Sequence, residues 1–466
     1  MVMSSLYVVL TALAIHVAIA SLAIPSGAQL RYQSTDFVAL IHFNMATYAH
    51  NGDPGCAADN WDTVAPYAAG KTRDPATFNP QKLNTTQWME SVKSLGANIA
   101  VLTAKHGCGF ALWPSNATFL DGRPYNYSVG IPGAGIQYDV LKRFVDSAQV
   151  AGVGYGFYYS IMKNFYLCKD FNGKNSCLKD ILPGQQNVSE EEYLHITKQQ
   201  VTELWTKYGN LTEIWVDSGL GGLGSLMDKL QPQAAGTPSN PYQWCGTESG
   251  HPSQDVGPGD VWSTGHGFFG DVNSSQWVPK FCDPQLFREH IWFWEPSLHV
   301  RNLSEMIPIY HDIVGRGMVM ELAFSINRDG LLDESHVKAY RQLGDWVQQC
   351  YGAPLAFASG KGYEFNLFSL REGQMVDRFQ IQEDIVVGQR VRNYTIEHSS
   401  PSDNRWVPLV TASAIGRKRI HLLPRSIRVS SSMILRLRIE NAIAEPSIKQ
   451  FSAFAPCQAE LLPLVV

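Results

Sequence analysis

Two acidic residues stand out as groups that could act together on one bond. Asp217 closes the run Glu213-Ile214-Trp215-Val216-Asp217. If that run is a strand, Trp215 and Asp217 share a face, because side chains alternate along extended backbone. A carboxylate beside an aromatic platform suits a sugar site: the ring stacks on the apolar face of a pyranose while the carboxylate meets C1. An Asp followed by Ser218-Gly219 also serves as a helix cap, and local sequence leaves both readings open. The second acid is Glu248, in Cys245-Gly246-Thr247-Glu248-Ser249-Gly250. Glycoside hydrolysis needs such a pair, one carboxyl as nucleophile and the other as acid and then base. A Glu between glycines in a loop is otherwise simply solvated.

Other polar groups also close apolar runs. His42 follows Val38-Ala39-Leu40-Ile41, Lys105-His106 follows Ile99-Ala100-Val101-Leu102-Thr103, and Tyr158-Tyr159 ends a third run. A histidine so placed is commonly a hydrogen-bonded core residue. Together with Asp217, however, these residues fit an α/β barrel, where the loops at the C-terminal strand ends converge on one pocket.

The elements that would position them follow from periodicity. From about Asp36 to Tyr351, short apolar runs (Phe37–Phe43, Asn98–Thr103, Gly154–Ser160, Glu213–Asp217, Gly317–Phe324) alternate with amphipathic helix candidates (Thr85–Leu95, Tyr138–Ala151, Glu191–Tyr208, Leu303–Val314, Glu334–Cys350). In the second of these helices Val140, Leu141, Phe144, Val145 and Ala148 make one buried stripe. The Pro-, Gly-, Ser- and Gln-rich stretch Gln231–Pro258 reads as a long functional loop. After Gly352 the segments Arg378–Val387, Gln389–Glu397, Trp406–Ala412, Arg419–Leu423 and Met433–Ile439 alternate with turn residues, as in an all-β sandwich. The expected organisation is a signal peptide over residues 1–20, a (β/α)8-like TIM barrel over 30–352 and a β-sandwich over 353–466.

Composition bounds the partners. Of the 466 residues, 17% are charged and the formal net charge is -5, which offers no polyanion-binding surface and argues against nucleic acid. The one basic run, Arg417-Lys418-Arg419, reads as a solvated hairpin face. The apolar stretch from Leu6, ending in Ala18-Ile19-Ala20, has a signal-peptide layout and is too short and poorly flanked for an anchor, so no stable membrane insertion is expected once it is removed. Asn-x-Ser/Thr sequons at Asn84, Asn116, Asn126, Asn187, Asn210, Asn273, Asn302 and Asn393 agree with export. So do the eight cysteines, of which Cys168 and Cys177 are the expected pair. Secretion, or delivery to a lysosome, vacuole or cell wall, is the expected destination. With no Cys-x-x-Cys pair and no His-Glu-x-x-His segment, neither a structural zinc site nor a zincin is supported and no metal is expected, and hydrolysis by two carboxyl groups needs no cofactor.

The same segments, taken in order, carry a resemblance. Ile41-His42-Phe43, Phe78-Asn79-Pro80, Leu102–His106 with Gly109–Ser115, Tyr158-Tyr159-Ser160, Tyr208-Gly209, Glu213–Asp217, Gly246–Gly250, Trp292-Phe293-Trp294 and Val314-Gly315-Arg316 resemble the α-L-fucosidases of glycoside hydrolase family 29. Glu383-Asp384-Ile385 and Gly388-Gln389-Arg390-Val391 look like that family's sandwich signature. The resemblance implies a two-step retaining hydrolysis of terminal α-linked L-fucose on a fucosylated glycan, with Asp217 as nucleophile and Glu248 as acid/base. It also implies that His42, Trp61, His106, Tyr158 and Trp215 contact fucose and that Trp294 lines the leaving-group side. Departures gather at the same places. Gly107 and Cys108 follow His106 where relatives carry a second His and an Asp, Asn60 precedes Trp61 where Glu is usual, and Phe281 takes an acidic position in Pro279-Lys280-Phe281-Cys282-Asp283. A catalytically weak relative that binds fucosylated glycans, and a glycosidase of this fold with another sugar specificity, therefore stand beside the leading reading.

Overall fold

The computed structural model describes residues 22–48, 72, 74–161, 163–169, 181, 183–217, 219, 221–399 and 405–457. The expected signal segment, Trp61 and Cys177 lie outside the described residues. In chain order the first part comprises α1 (Gly27–Tyr32), β1 (Phe37–His42), α2 (Thr85–Leu95), β2 (Ile99–Lys105), α3 (Val140–Ala151), β3 (Gly154–Ser160), α4 (Glu190–Lys207) and β4 (Glu213–Asp217). It continues through α5 (Gly224–Leu230), β5 (Gln243–Trp244), α6 (Pro252–Asp255), β6 (Lys280–Cys282), α7 (Leu303–Ile313), β7 (Val319–Ser325) and α8 (Glu334–Tyr351).

The helices start and stop where local chemistry dictates. Asn84 and Asp139 accept the orphan N–H of Gln87 and Lys142 at the entries of α2 and α3. Gly96 and Gly152 close the same helices at φ 86° and 67°, a conformation that side chains with a Cβ resist. The stripe expected on α3 is buried as read, from Val140 to Ala148.

The seven strands form one parallel sheet in the order β4-β3-β2-β1-β7-β6-β5. Its two edges approach each other: Ala235 bridges Glu213 beyond β4, and the Tyr242 hydroxyl, just before β5, donates to the Ile214 carbonyl at 2.9 Å. This is the (β/α)8-like barrel. Strands covered on both faces should read as continuous apolar runs, and β1, β2 and β7 are buried along their whole length.

The second part is an antiparallel sandwich of β8 (Ala356–Lys361), β9 (Glu364–Leu367), β10 (Met375–Glu383), β11 (Val391–Ser399), β12 (Trp406–Ala412), β13 (Arg419–Arg428), β14 (Leu435–Ala442) and β15 (Ser447–Phe454). Its sheets are ordered β13-β10-β15-β8 and β12-β11-β14-β9. They enclose their own core, with Phe379, Tyr394, Leu437 and Phe451 fully buried.

The basic run Arg417-Lys418-Arg419 corrects the expectation of a solvated face. Arg417 is buried and donates to the carbonyls of Thr35, Gly317 and Met318, while Lys418 Nζ reaches Asp36 at 2.6 Å. Arg419 pairs with Asp260 at 2.8 Å. Nearby, Glu383 of the sandwich signature accepts from the backbone N–H of Arg390, Val391 and Gly416. A disulfide from Cys350, in α8, to Cys457 ties the barrel to the end of the sandwich.

Candidate active site

The barrel's strand ends open into a cavity of about 410 Å³ lined by Leu40, His42, His106, Tyr158, Lys163, Trp215, Val216, Asp217, Tyr242, Trp244, Glu248, Phe281, Asp283 and Trp292. Both candidate carboxylates are therefore on one wall system. So are four of the expected sugar contacts: His42, His106, Tyr158 and Trp215. Trp294 is not among the lining residues. Its indole N–H donates to Asp333 at 2.6 Å, beside the start of α8, and Trp292 presents its ring to the cavity instead.

Asp217 is the last residue of β4, and its Oδ2 accepts from the Tyr158 hydroxyl at 2.7 Å. Ser160, at the end of β3, is its register partner, so parallel pairing brings both strand ends to the same level. Trp215, one alternation earlier, lies with its ring 5.0 Å from that of Tyr158. The Trp215 indole N–H donates to Glu321 of β7 across the barrel interior at 2.9 Å.

Glu248 comes from the loop after β5. A disulfide from Cys245 to Cys282, with 5.2 Å between Cα atoms, joins the ends of β5 and β6 three residues before it. Gln285 Nε2 donates to Glu248 Oε2 at 3.1 Å, and the side-chain oxygen of Gln285, Oε1, lies 3.0 Å from His290 Nδ1. Glu248 as a whole residue is exposed. Its carboxyl is nonetheless hemmed in by protein, and desolvation first, then the charge of Asp217, raise its pKa; Lys163, Trp292 and Gln285 pull it the other way. A raised carboxyl keeps a proton into the range where an acid catalyst needs one.

The neighbours set a largely neutral lining. Burial pushes His42 down to about 3, and its Nδ1 lies 3.2 Å from the Leu40 carbonyl. Burial, then the charges of His42, Lys163 and Lys105, hold His106 well below the usual imidazole range. Neutral imidazoles offer one donor and one acceptor nitrogen, the complement of sugar hydroxyls. The two rings are 6.3 Å apart, with Phe293 edge-on to both, His42 stacked on Trp292 and His106 on Tyr158. Lys105 is fully buried, donates to the Lys163 carbonyl at 3.0 Å and is pushed down to about 7 by burial, against the pull of Asp217.

Several lining residues escaped the sequence reading. Asp283, directly after β6, accepts from the Trp244 indole at 2.6 Å and is held well above the usual carboxylate range by burial and by Glu248. Lys163 follows β3, where the strand-end rule that found Tyr158 could have found it. Phe281, in the position where an acid was expected, packs against Tyr242 at 4.7 Å and Trp215 at 6.1 Å between ring centroids. It makes that part of the lining apolar.

Among known proteins, the model of the α-L-fucosidase family matches residues 57–352. The chain belongs to that family, glycoside hydrolase family 29. It is 26% identical to Alpha-L-fucosidase 1 of Arabidopsis thaliana, over 93% of this chain and 88% of that one. It is 27% identical to Putative alpha-L-fucosidase 1 of Oryza sativa subsp. japonica, over 93% and 85%. Among solved structures, a putative α-L-fucosidase from Bacteroides thetaiotaomicron superposes with a TM-score of 0.77 at 26% identity, covering 94% of this chain and all of that one. As a member of this family the chain is a glycoside hydrolase of the α-L-fucosidase type. Among the described residues no group of acidic, His and Cys side chains is arranged to hold a metal ion.

Proposed function

We propose that this fucosidase is a secreted, retaining enzyme that removes terminal α-linked L-fucose from glycans in two displacements, with Asp217 as nucleophile and Glu248 as acid and then base. The observation that carries the reading is the pairing inside one cavity of a strand-end carboxylate with a second carboxyl whose proton is held by partial desolvation and by the first one's charge. In the first step the Asp217 carboxylate attacks C1 while Glu248 gives its proton to the departing glycosidic oxygen, leaving a β-fucosyl ester on Asp217. In the second, the Glu248 carboxylate takes a proton from water as that water attacks C1, and Asp217 leaves. Two inversions restore the α configuration.

Around that chemistry, Tyr158 fixes the nucleophile, neutral His42 and His106 meet sugar hydroxyls, and Trp215 packs against the ring face or the C5 methyl group. A contact from Trp61 rests on the family resemblance. The apolar character of Phe281 leaves the acid role to Glu248 rather than to its own position. Secretion is supported by the solvent exposure of all eight sequon asparagines. At Asn84 and Asn302 the side-chain oxygen caps a helix, which leaves the nitrogen for a glycan.

The test is rescue of a nucleophile variant. Asp217→Ala should be inactive on an aryl α-L-fucoside, and added azide should restore turnover with β-L-fucosyl azide as product. Wild-type turnover by the variant, or an azide product of α configuration, would remove Asp217 from the role.

A further inference from the structure

Beneath the sugar site lies a second acidic pair that the two displacements do not use. Glu213 of β4 and Glu321 of β7 both point into the barrel interior and are fully buried. The groups acting on their ionisation are each other together with Tyr32, Tyr242 and Trp215. Two adjacent carboxyls in such surroundings cannot both be charged cheaply. Burial raises both, Glu321 to about 7, and the charge of Glu321 adds to the rise at Glu213.

Glu321 is the better connected of the two. One oxygen accepts from the Tyr32 hydroxyl of α1, and the other accepts from the Trp215 indole N–H at 2.9 Å. Donors on both oxygens fix the plane of the carboxyl, and the carboxyl in turn fixes the rotation of the indole. From there the contacts run upward without a gap: Trp215 lies against Tyr158, whose hydroxyl is on Asp217 at 2.7 Å. Trp215 and Tyr158 both line the cavity, whereas Glu321 does not.

We infer that Glu321 is a positioning residue for the hydrolysis: it orients the Trp215 indole and, through the Trp215–Tyr158 contact, keeps the Tyr158 hydroxyl on the nucleophile. This role rests on the reading of the cavity around Asp217 as the sugar site. Misplacement of catalytic groups by less than their own radius is enough to cost one to two orders of magnitude in rate.

The experiment is a double-mutant cycle read as kcat and KM on an aryl α-L-fucoside, using Glu321→Leu, Trp215→Phe and the double variant, with melting temperature and near-UV circular dichroism confirming the fold. Glu321→Leu is expected to lower kcat/KM by about 30-fold in the wild-type background and by less than about threefold on Trp215→Phe, because the effect travels through the indole. Glu321→Gln, which keeps an acceptor for the indole, should stay within about threefold of wild type. A folded Glu321→Leu with wild-type kinetics, or one whose loss is repeated in full on Trp215→Phe, overturns the inference. Should Glu321→Leu not fold, Tyr32→Phe serves in its place: it frees one oxygen of Glu321 without altering the cavity wall. It should then cost about fivefold alone and nothing on Trp215→Phe, and unchanged activity, or the same loss in both backgrounds, overturns the role. Asp217→Ala in the same assay separates the two layers. If it is active, the site reading itself fails; if it is inactive while Glu321→Leu behaves as wild type, only the positioning role fails.

Discussion

The two sides of the cavity are built by different means. On the side of the proposed nucleophile, β1 to β4 are strands of five to seven residues locked in parallel register; Asp217, His42 and His106 sit at or directly beyond their ends, and Tyr158 lies two residues inside the end of β3. On the side of the proposed acid/base, β5 and β6 have only two and three residues, and Glu248, Asp283 and Trp292 come from the long loops that follow. Backbone ladders place the first group. The second is held by the Cys245–Cys282 disulfide and by side-chain hydrogen bonds from Gln285 and Trp244. Barrel enzymes vary their substrates through loops, so the fixed side is suited to the shared sugar and the stapled side to the leaving group.

That contrast can be broken by substitution, beginning where the effect is largest. Asp217→Ala should lower kcat/KM by at least about 1000-fold on every aryl α-L-fucoside, whatever its leaving group. Glu248→Gln should cost on the order of 100-fold on poor leaving groups and far less on activated ones. In the proposed mechanism the raised pKa of Glu248 sets the loss of activity as pH increases, so that substitution should also remove the alkaline limb of the kcat/KM profile; an unchanged limb would assign the acid elsewhere. Replacing Cys245 and Cys282 together by Ser should destabilise the fold by about 2–4 kcal/mol. In steady-state assays it should lower kcat on poor leaving groups by roughly tenfold while sparing activated ones, a pattern confined to the acid/base side. Equal losses on both would show that the staple also shapes the nucleophile side.

The junction with the sandwich should behave differently again. Asp36, facing Lys418 and Arg417, has its pKa held far below the usual range by those cations against the opposing effect of burial. A depressed folded-state pKa stabilises above the unfolded value of about 4, and that contribution is lost as pH falls through the folded value. Asp36→Asn should therefore destabilise by about 3 kcal/mol near neutrality, by denaturant titration, with the difference shrinking in strong acid and with kcat unaltered. The smallest effect expected is from Trp294→Phe, within about threefold in kcat/KM, against roughly tenfold for Trp292→Phe.

The sequence disclosed the nucleophile side far better than the other, for a physical reason. β3 and β4 were legible to the residue because their runs are apolar and flanked by clear helices, and α2 because its cap residues mark both ends. Strands as short as β5 and β6 carry no period, so the segment around Gln243 reads as loop and the wall residues Trp244 and Asp283 go unseen. Lacking periodicity, the loop at Trp292-Phe293-Trp294 could not say which indole faces the cavity. The Arg417-Lys418-Arg419 run failed for another reason: its partners, Asp36 and Asp260, lie hundreds or more than a hundred residues away, and only the fold brings them together. Glu321 was invisible for the same reason, as one acid within an apolar strand whose partner, Trp215, belongs to the opposite wall.

Proton NMR of the first sugar released from an aryl α-L-fucoside, recorded before mutarotation, tests the pairing of Asp217 with Glu248 most directly. Two displacements predict α-L-fucose as the initial product; β-L-fucose appearing first would show a single displacement and contradict the nucleophilic role of Asp217.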